Sequence, residues 1–313
     1  MKLNSALLYS IMLLAALMLC AYSATDTAPD TEILLDSDGV QMLYPSASGF
    51  SFQLSTKNPN ATDLFIIEKG TQATPGTEGT IQFWNLPSYA MNYSAGGSGW
   101  TSRLHIYSSK EPQKYTWKTQ TGYLASPTDV KNQEFTVFLR AHNILDAKRA
   151  QVSLKIRGGT HSNKKDPDCA ACTMMTFSPK SHGSITRFAK ELIHPKYDYV
   201  VLTPAFSAAL EEDTWVGLKL VSWNDPNDAA RAIYRLYIDT DPFEPDTGKP
   251  RNNWRLFSEY VDVEGKSTGQ YSQLVDWGGY QTTLRTDGIN DIDFALLSLR
   301  EILLPSRLRG NKE

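Results

Sequence analysis

Apolar and polar residues alternate with a period of two along much of this chain, the mark of strands with one buried face. Residues 49–54 place Phe50, Phe52 and Leu54 on one side. Shorter apolar runs follow at 64–67 and 81–84. The clearest pattern lies between Thr101 and Arg157 and predicts three strands, at 102–107, 134–142 and 152–157. In the first, Leu104 and Ile106 oppose Arg103, His105 and Tyr107. In the second, Phe135, Val137, Leu139 and Ala141 oppose Thr136, Phe138, Arg140 and His142. In the third, Val152, Leu154 and Ile156 oppose Ser153, Lys155 and Arg157. Residues 114–120 are a fourth candidate, with Lys118 and Gln120 on its polar side.

Further along, Ile185, Phe188, Ala189 and Leu192 fall at helical spacing and predict a short helix over 184–192. Strands resume at 215–223, 233–239 and 254–262, and 292–302 reads as the closing strand, with a short helix over 296–303 as its alternative. Gly, Pro and Asn turns punctuate these runs. The expectation is an all-β sandwich or jelly roll with short peripheral helices. No internal repeat or linker divides it, so 33–304 is expected to be one domain.

The chain has 313 residues, 41% of them hydrophobic, a globular composition. Residues 1–23 read as a secretory signal: Lys2, an apolar run over 7–19, then small residues at Ala21 and Ser23. A lipoprotein Cys20 and a retained anchor are the alternatives. Residues 24–32 and 305–313 are tails, and no second apolar stretch is long enough to span a membrane. The expected location is therefore extracellular, free or at the cell surface. In such a compartment Cys169 and Cys172 are expected to form a local disulfide. A zinc site with His161 or His182 is the weaker alternative. Asn60-Ala61-Thr62 and Asn92-Tyr93-Ser94 are glycosylation sequons.

The formal net charge is −3, which argues against nucleic acid as a partner. Against that balance, each of the three central strands carries basic residues on its polar side. If they share a sheet, Arg103, His105, Arg140, His142, Lys155 and Arg157 form a cationic shelf for an acidic polysaccharide or cell-surface glycan. The plain alternative is an ordinary solvent face, yet like charges placed opposite each other destabilise a sheet. Asp239, Asp241, Glu244 and Asp246 make an acidic loop. It reads as a solvated turn, or as a structural calcium site. No cofactor is otherwise required.

The runs at 215–219, 237–239, 253–254 and 291–294 resemble the concanavalin A-like jelly roll. That superfamily includes lectins, glucanases and polysaccharide lyases. The resemblance implies two curved sheets and a ligand groove. The paired carboxylates of its glucanases are incomplete in Asp291-Ile292-Asp293-Phe294-Ala295-Leu296. Its alginate-lyase motifs are matched in part by Arg103-Leu104-His105-Ile106-Tyr107, Lys155-Ile156-Arg157 and Tyr234-Arg235-Leu236-Tyr237. β-Elimination on a uronate then needs a carboxylate clamp, for which Arg103, Arg140 and Arg157 are candidates, a base, His105 or His142, and an acid, Tyr107 or Tyr237, with Arg103, His105 and Tyr107 the first choice. Arg140, His142, Lys155, Arg157, Lys118, Gln120 and Tyr237 would bind substrate. The open choice is between a polysaccharide lyase, a non-catalytic carbohydrate-binding protein and a structural envelope protein.

Overall fold

The computed structural model describes residues 33–54, 65–67, 71–92, 98–108, 130–159, 171–193, 195–266 and 269–304. The signal, both tails, Cys169, His161, Lys118 and Gln120 lie outside them. Eighteen strands follow one another among the described residues. The first seven are β1 (Leu34–Leu35), β2 (Gln41–Met42), β3 (Ser46–Gln53), β4 (Phe65–Ile67), β5 (Thr74–Glu78), β6 (Ile81–Pro87) and β7 (Tyr89–Asn92). Six more are β8 (Ser98–Tyr107), β9 (Gln133–Ile144), β10 (Gln151–Gly158), β11 (Cys172–Phe177), β12 (Thr186–Ile193) and β13 (Lys196–Val201). The last five are β14 (Trp215–Asn224), β15 (Arg231–Asp239), β16 (Arg255–Val263), β17 (Gln281–Asp287) and β18 (Ile289–Ile302).

They form two large antiparallel sheets and a β1–β2 hairpin. The first sheet runs β13-β12-β11-β10-β17-β8-β4, with β7 also on β8. The second runs β16-β15-β14-β9-β18-β6-β5, with β3 also on β18. Their inner faces share one core. Leu104, Ile106, Val152, Leu154, Ile156, Phe188 and Leu284 come from the first sheet, and Phe135, Val137, Leu139, Leu218, Leu236 and Phe294 from the second. Each such side chain contributes about 1.5–3 kcal/mol by leaving water. This is the expected all-β sandwich, and its strand alternation is the source of its layering.

The 184–192 segment is strand β12 rather than a helix. It is paired on both flanks, by β11 and β13, with Phe188 turned into the core. Two ladders of hydrogen bonds outweigh a helical spacing of only four residues. Likewise 296–302 stays in β18. Among the described residues the expected peripheral helices reduce to a 3-10 turn at Lys180–His182.

The second sheet's outer face is covered at its centre by the β1–β2 hairpin. Lys219 there is fully buried, and its Nζ donates to Glu134 Oε1 at 2.7 Å and to the Gln41 carbonyl at 2.6 Å. Glu134 also takes Arg300 and the Leu43 amide. Lys219 and Glu134 are thus each hydrogen-bonded in place, as a buried ion pair requires.

Candidate functional site

The first sheet's outer face carries a buried polar cluster. Arg103 and His105 come from β8, Gln281, Thr283 and Arg285 from β17, Lys155 from β10 and Cys172 from β11. With Gly158 and Gly159 they line one narrow cleft. Strand register brings them together: His105 lies opposite Thr283, and Thr283 opposite Lys155. All but the half-buried Arg285 are almost completely buried, with Arg103 at 6% exposure and His105 at 4%. Ordinary solvent-face residues are not buried to this degree.

Two hydrogen-bonded groups divide the cleft. On one side the imidazole is fixed through Nδ1, 2.8 Å from Thr283 Oγ1 and 2.8 Å from Gln281 Nε2. Gln281 Oε1 is buried without a hydrogen-bond partner among the described residues. Such an atom has an acceptor to offer an incoming hydroxyl. Tyr107, whose ring centroid lies 6.1 Å from that of His105, also stacks on Tyr280, again with centroids 6.1 Å apart.

On the other side Lys155 Nζ donates to Glu191 Oε2 and to Tyr197 Oη, both at 3.1 Å. Arg285 Nη1 donates to the same phenol oxygen at 3.3 Å, while Asp287 holds the guanidinium from its own strand at 2.9 Å. Burial opposes the charge on Lys155, but Cys172, Glu191 and Tyr197 outweigh it and hold the ammonium above the ordinary lysine range. Burial pushes the Tyr197 phenol up, with Lys155 pulling the other way. At neutral pH the lysine is charged and the phenol keeps its proton. The site therefore holds a proton donor backed by two cations.

The structure keeps half of the predicted shelf and dismantles the rest. Arg103, His105 and Lys155 meet, but β9 belongs to the other sheet, which removes Arg140 and His142. Arg140 instead binds Asp293 at 2.6 Å between the rings of Phe83 and Trp215. His142 bridges Asp213 at 2.5 Å and Asp293 at 2.8 Å. Arg157 has the expected strand but not the expected side. A bulge between Lys155 and Gly158, with Arg157 at φ +55°, breaks the alternation. Its guanidinium is fully buried, donating to Asn224 Oδ1 at 2.7 Å and to the Val275 carbonyl at 2.6 Å. Tyr237 lies in the second sheet, packed with Val221 and Trp223.

Cys172 is a free buried thiol rather than half of a disulfide, and its Sγ lies 3.7 Å from Glu191 Oε2. Burial pushes that thiol up to about 12. The acidic loop is held by its own hydrogen bonds. Asp239 accepts from the amides of Asp241 and Asn253, Asp241 pairs with Arg251, and Glu244 accepts from Thr247. Among the described residues no three His, Cys, Asp or Glu side chains converge on a metal position, so Asp239, Asp241, Glu244 and Asp246 do not form a ligand set. His182 likewise neighbours Arg187 rather than a thiol cluster.

Gln281, Thr283, Arg285, Glu191 and Tyr197 escaped sequence reasoning. Gln281-Thr282-Thr283-Leu284-Arg285 has only one apolar residue, so β17 lacks the contrast that marks a strand. Lys196-Tyr197-Asp198-Tyr199 does alternate, and that signal was there to be read.

No protein-family model matches the chain, and no curated protein matches it either. Similar solved structures include the alginate lyase vAL-1 from Chlorella virus, at 11% identity and a TM-score of 0.42, covering 80% of this chain and 98% of that one. Another is the exoplasmic/lumenal domain of VIP36 with bound Ca2+ and Man3GlcNAc, at 8% identity and a TM-score of 0.36, covering 78% and 88%. A third is the alginate lyase Aly36B, at 14% and 0.32, covering 84% and 99%. These neighbours are concanavalin A-like jelly rolls. Among the described residues no helix is long and apolar enough to cross a membrane.

Proposed function

We propose that the chain is an extracellular polysaccharide lyase that binds a uronate-containing chain in the first sheet's cleft and cleaves it by β-elimination. The observation that carries this reading is the pairing of Lys155 with Tyr197 at 3.1 Å, across the cleft lining from a fixed His105–Gln281 pair. Elimination needs three things at once: a clamp for the carboxylate, a base and an acid. Arg103 supplies charge-assisted hydrogen bonds to the carboxylate, which stabilise the enolate that forms when C5 loses its proton, and Gln281 Oε1 accepts from a sugar hydroxyl. His105 takes that proton. The electron pair then forms the C4–C5 double bond and expels the glycosidic oxygen at C4. Tyr197 protonates the leaving oxygen, and Lys155 and Arg285 stabilise the phenolate left behind. The proton on His105 returns to Tyr197 through solvent and closes the cycle. No metal enters the scheme.

The test is the ultraviolet absorbance of unsaturated chain ends, with the purified protein mixed with alginate, polygalacturonate and glucuronan. A rise in the native protein that is lost in H105A and in Y197F supports the assignment. Binding to these chains without new unsaturated ends would overturn elimination and leave a carbohydrate-binding protein. A rise unchanged in both variants would move the chemistry out of this cleft.

A further inference from the structure

The outward side chains of the first sheet continue beyond the cleft in a row. Register sets Arg103 opposite Arg285, Arg285 opposite Ser153, Ser153 opposite Thr176, and Thr176 opposite Arg187. The row crosses five strands, so its end residues are about 19 Å apart at the strand spacing of about 4.8 Å. Arginine stands at both ends. Between Arg285 and Arg187 the row carries two small hydroxyl side chains, Ser153 and Thr176, both buried. Their Oγ atoms have no hydrogen-bond partner among the described residues.

The far end differs from an ordinary sheet margin. Arg187 lies over the ring of Tyr199, 4.6 Å from its centroid, and donates through Nη2 to Gln151 Oε1. A second contact of Nη2 is His182 Nε2 at 3.2 Å, while Arg187 Nε is buried without a hydrogen-bond partner among the described residues. Tyr199 is 43% exposed. It stacks on Tyr197, with centroids 5.8 Å apart and planes at 21°. A partly exposed ring continuing from a site tyrosine offers an apolar face for a sugar ring, and the arginine beside it offers a donor for a carboxylate.

We infer that Arg187 and Tyr199 form a second anionic-sugar subsite, so that the polysaccharide lies across the strands from β8 to β13. This rests on the uronate reading of the cleft and extends it. A chain that engages both Arg103 and Arg187 spans several sugars. The protein therefore selects long chains and acts within them, and short oligosaccharides reach only the first subsite.

The experiment measures binding of alginate and polygalacturonate fractions, from trimers to long oligomers, by calorimetry. The native protein is compared with R187Q and Y199A, with circular dichroism as the check on folding. The native protein is expected to bind long oligomers at least about ten-fold tighter than trimers, the gain of one good charged contact. Both variants lose that gain and keep trimer binding. Y199A replaces a partly exposed side chain and keeps the test valid if R187Q fails to fold. Full length dependence in a folded variant would overturn the second subsite while leaving the cleft reading intact. Absence of binding to every fraction by the native protein would overturn the cleft reading and the subsite together.

Discussion

At the scale of single residues the cleft depends on where protons rest. Tyr197 is held protonated by burial, while the two cations on its oxygen stabilise the anion it becomes. Replacing it with phenylalanine removes the proton donor and the acceptor that Lys155 and Arg285 share, while the ring stays in place. We expect Y197F to lower the elimination rate by about 10²- to 10⁴-fold, the usual worth of a positioned acid. Polymer binding should change far less, because Arg103 and Gln281 remain. A stopped assay with the same polymer, paired with calorimetry, checks both halves. Equal losses in rate and binding would make Tyr197 a binding residue instead. Lys155→Met is the companion. It also leaves Glu191 buried without its ammonium, so its rate loss is expected with a measurable loss of stability.

At the scale of elements, legibility tracked how strongly each strand contrasts its two faces. β8, β9, β10, β14 and β15 alternate cleanly; the patterns of the last four match the observed strands to within two residues, while β8 begins four residues before its predicted start. β17 does not alternate, because both of its faces carry threonine or longer polar groups, and it holds three site residues. Pairing between strands was never legible. Equal parity of basic residues in β8, β9 and β10 says nothing about which sheet each joins, and β9 joined the other. Nor does periodicity reveal a bulge, which is what turned Arg157 inward.

Two elements yield tests. Gly279 abuts that bulge: a Cβ there would lie 2.3 Å from the carbonyl carbon of Arg157 and from the amide nitrogen of Gly158. Backbone cannot yield as a side-chain tip does. G279A is expected to cost about 1–3 kcal/mol by overpacking, read as a lower urea midpoint, and to disturb Gln281 two residues on. An unchanged midpoint would show that the loop relaxes freely. The second test concerns His142, which joins β9 to Asp213. Burial works against its charge, but hydrogen bonds to Asp293 and Asp213 outweigh it and raise its pKa above the ordinary 6.5. A raised folded pKa means that the stabilisation is fully present below 6.5 and is lost as pH rises through the folded value. The stability gap between native protein and H142Q should therefore be largest at acid pH and shrink toward alkaline pH. A gap that widens with pH would reverse the assigned coupling.

At the scale of the whole molecule, the two sheets are joined by more than apolar surface. Lys190 on β12 and Asp262 on β16 meet between the sheets at 2.7 Å, both fully buried. Lys190 also donates to the Gln273 carbonyl at 2.7 Å, and Asp262 accepts from the Val275 amide at 3.2 Å. Val275 is where Arg157 and Tyr234 also donate, so these polar contacts fasten the 269–280 segment that leads into β17. Burial pushes the Asp262 carboxyl up even with Lys190 beside it, a sign that desolvation takes back much of the attraction. Breaking the pair is then worse than replacing it. K190M is expected to cost about 3–5 kcal/mol, because the carboxylate stays buried without its cation, whereas K190M/D262L should recover most of that loss. Urea unfolding of the single and double variants measures the difference. Elimination by the double variant adds a second reading. If Asp262 acts through the Val275 amide to hold the segment before Gln281, the double variant regains stability but not full rate. Recovery of both would make the pair a matter of stability alone, with the cleft positioned by its own strands.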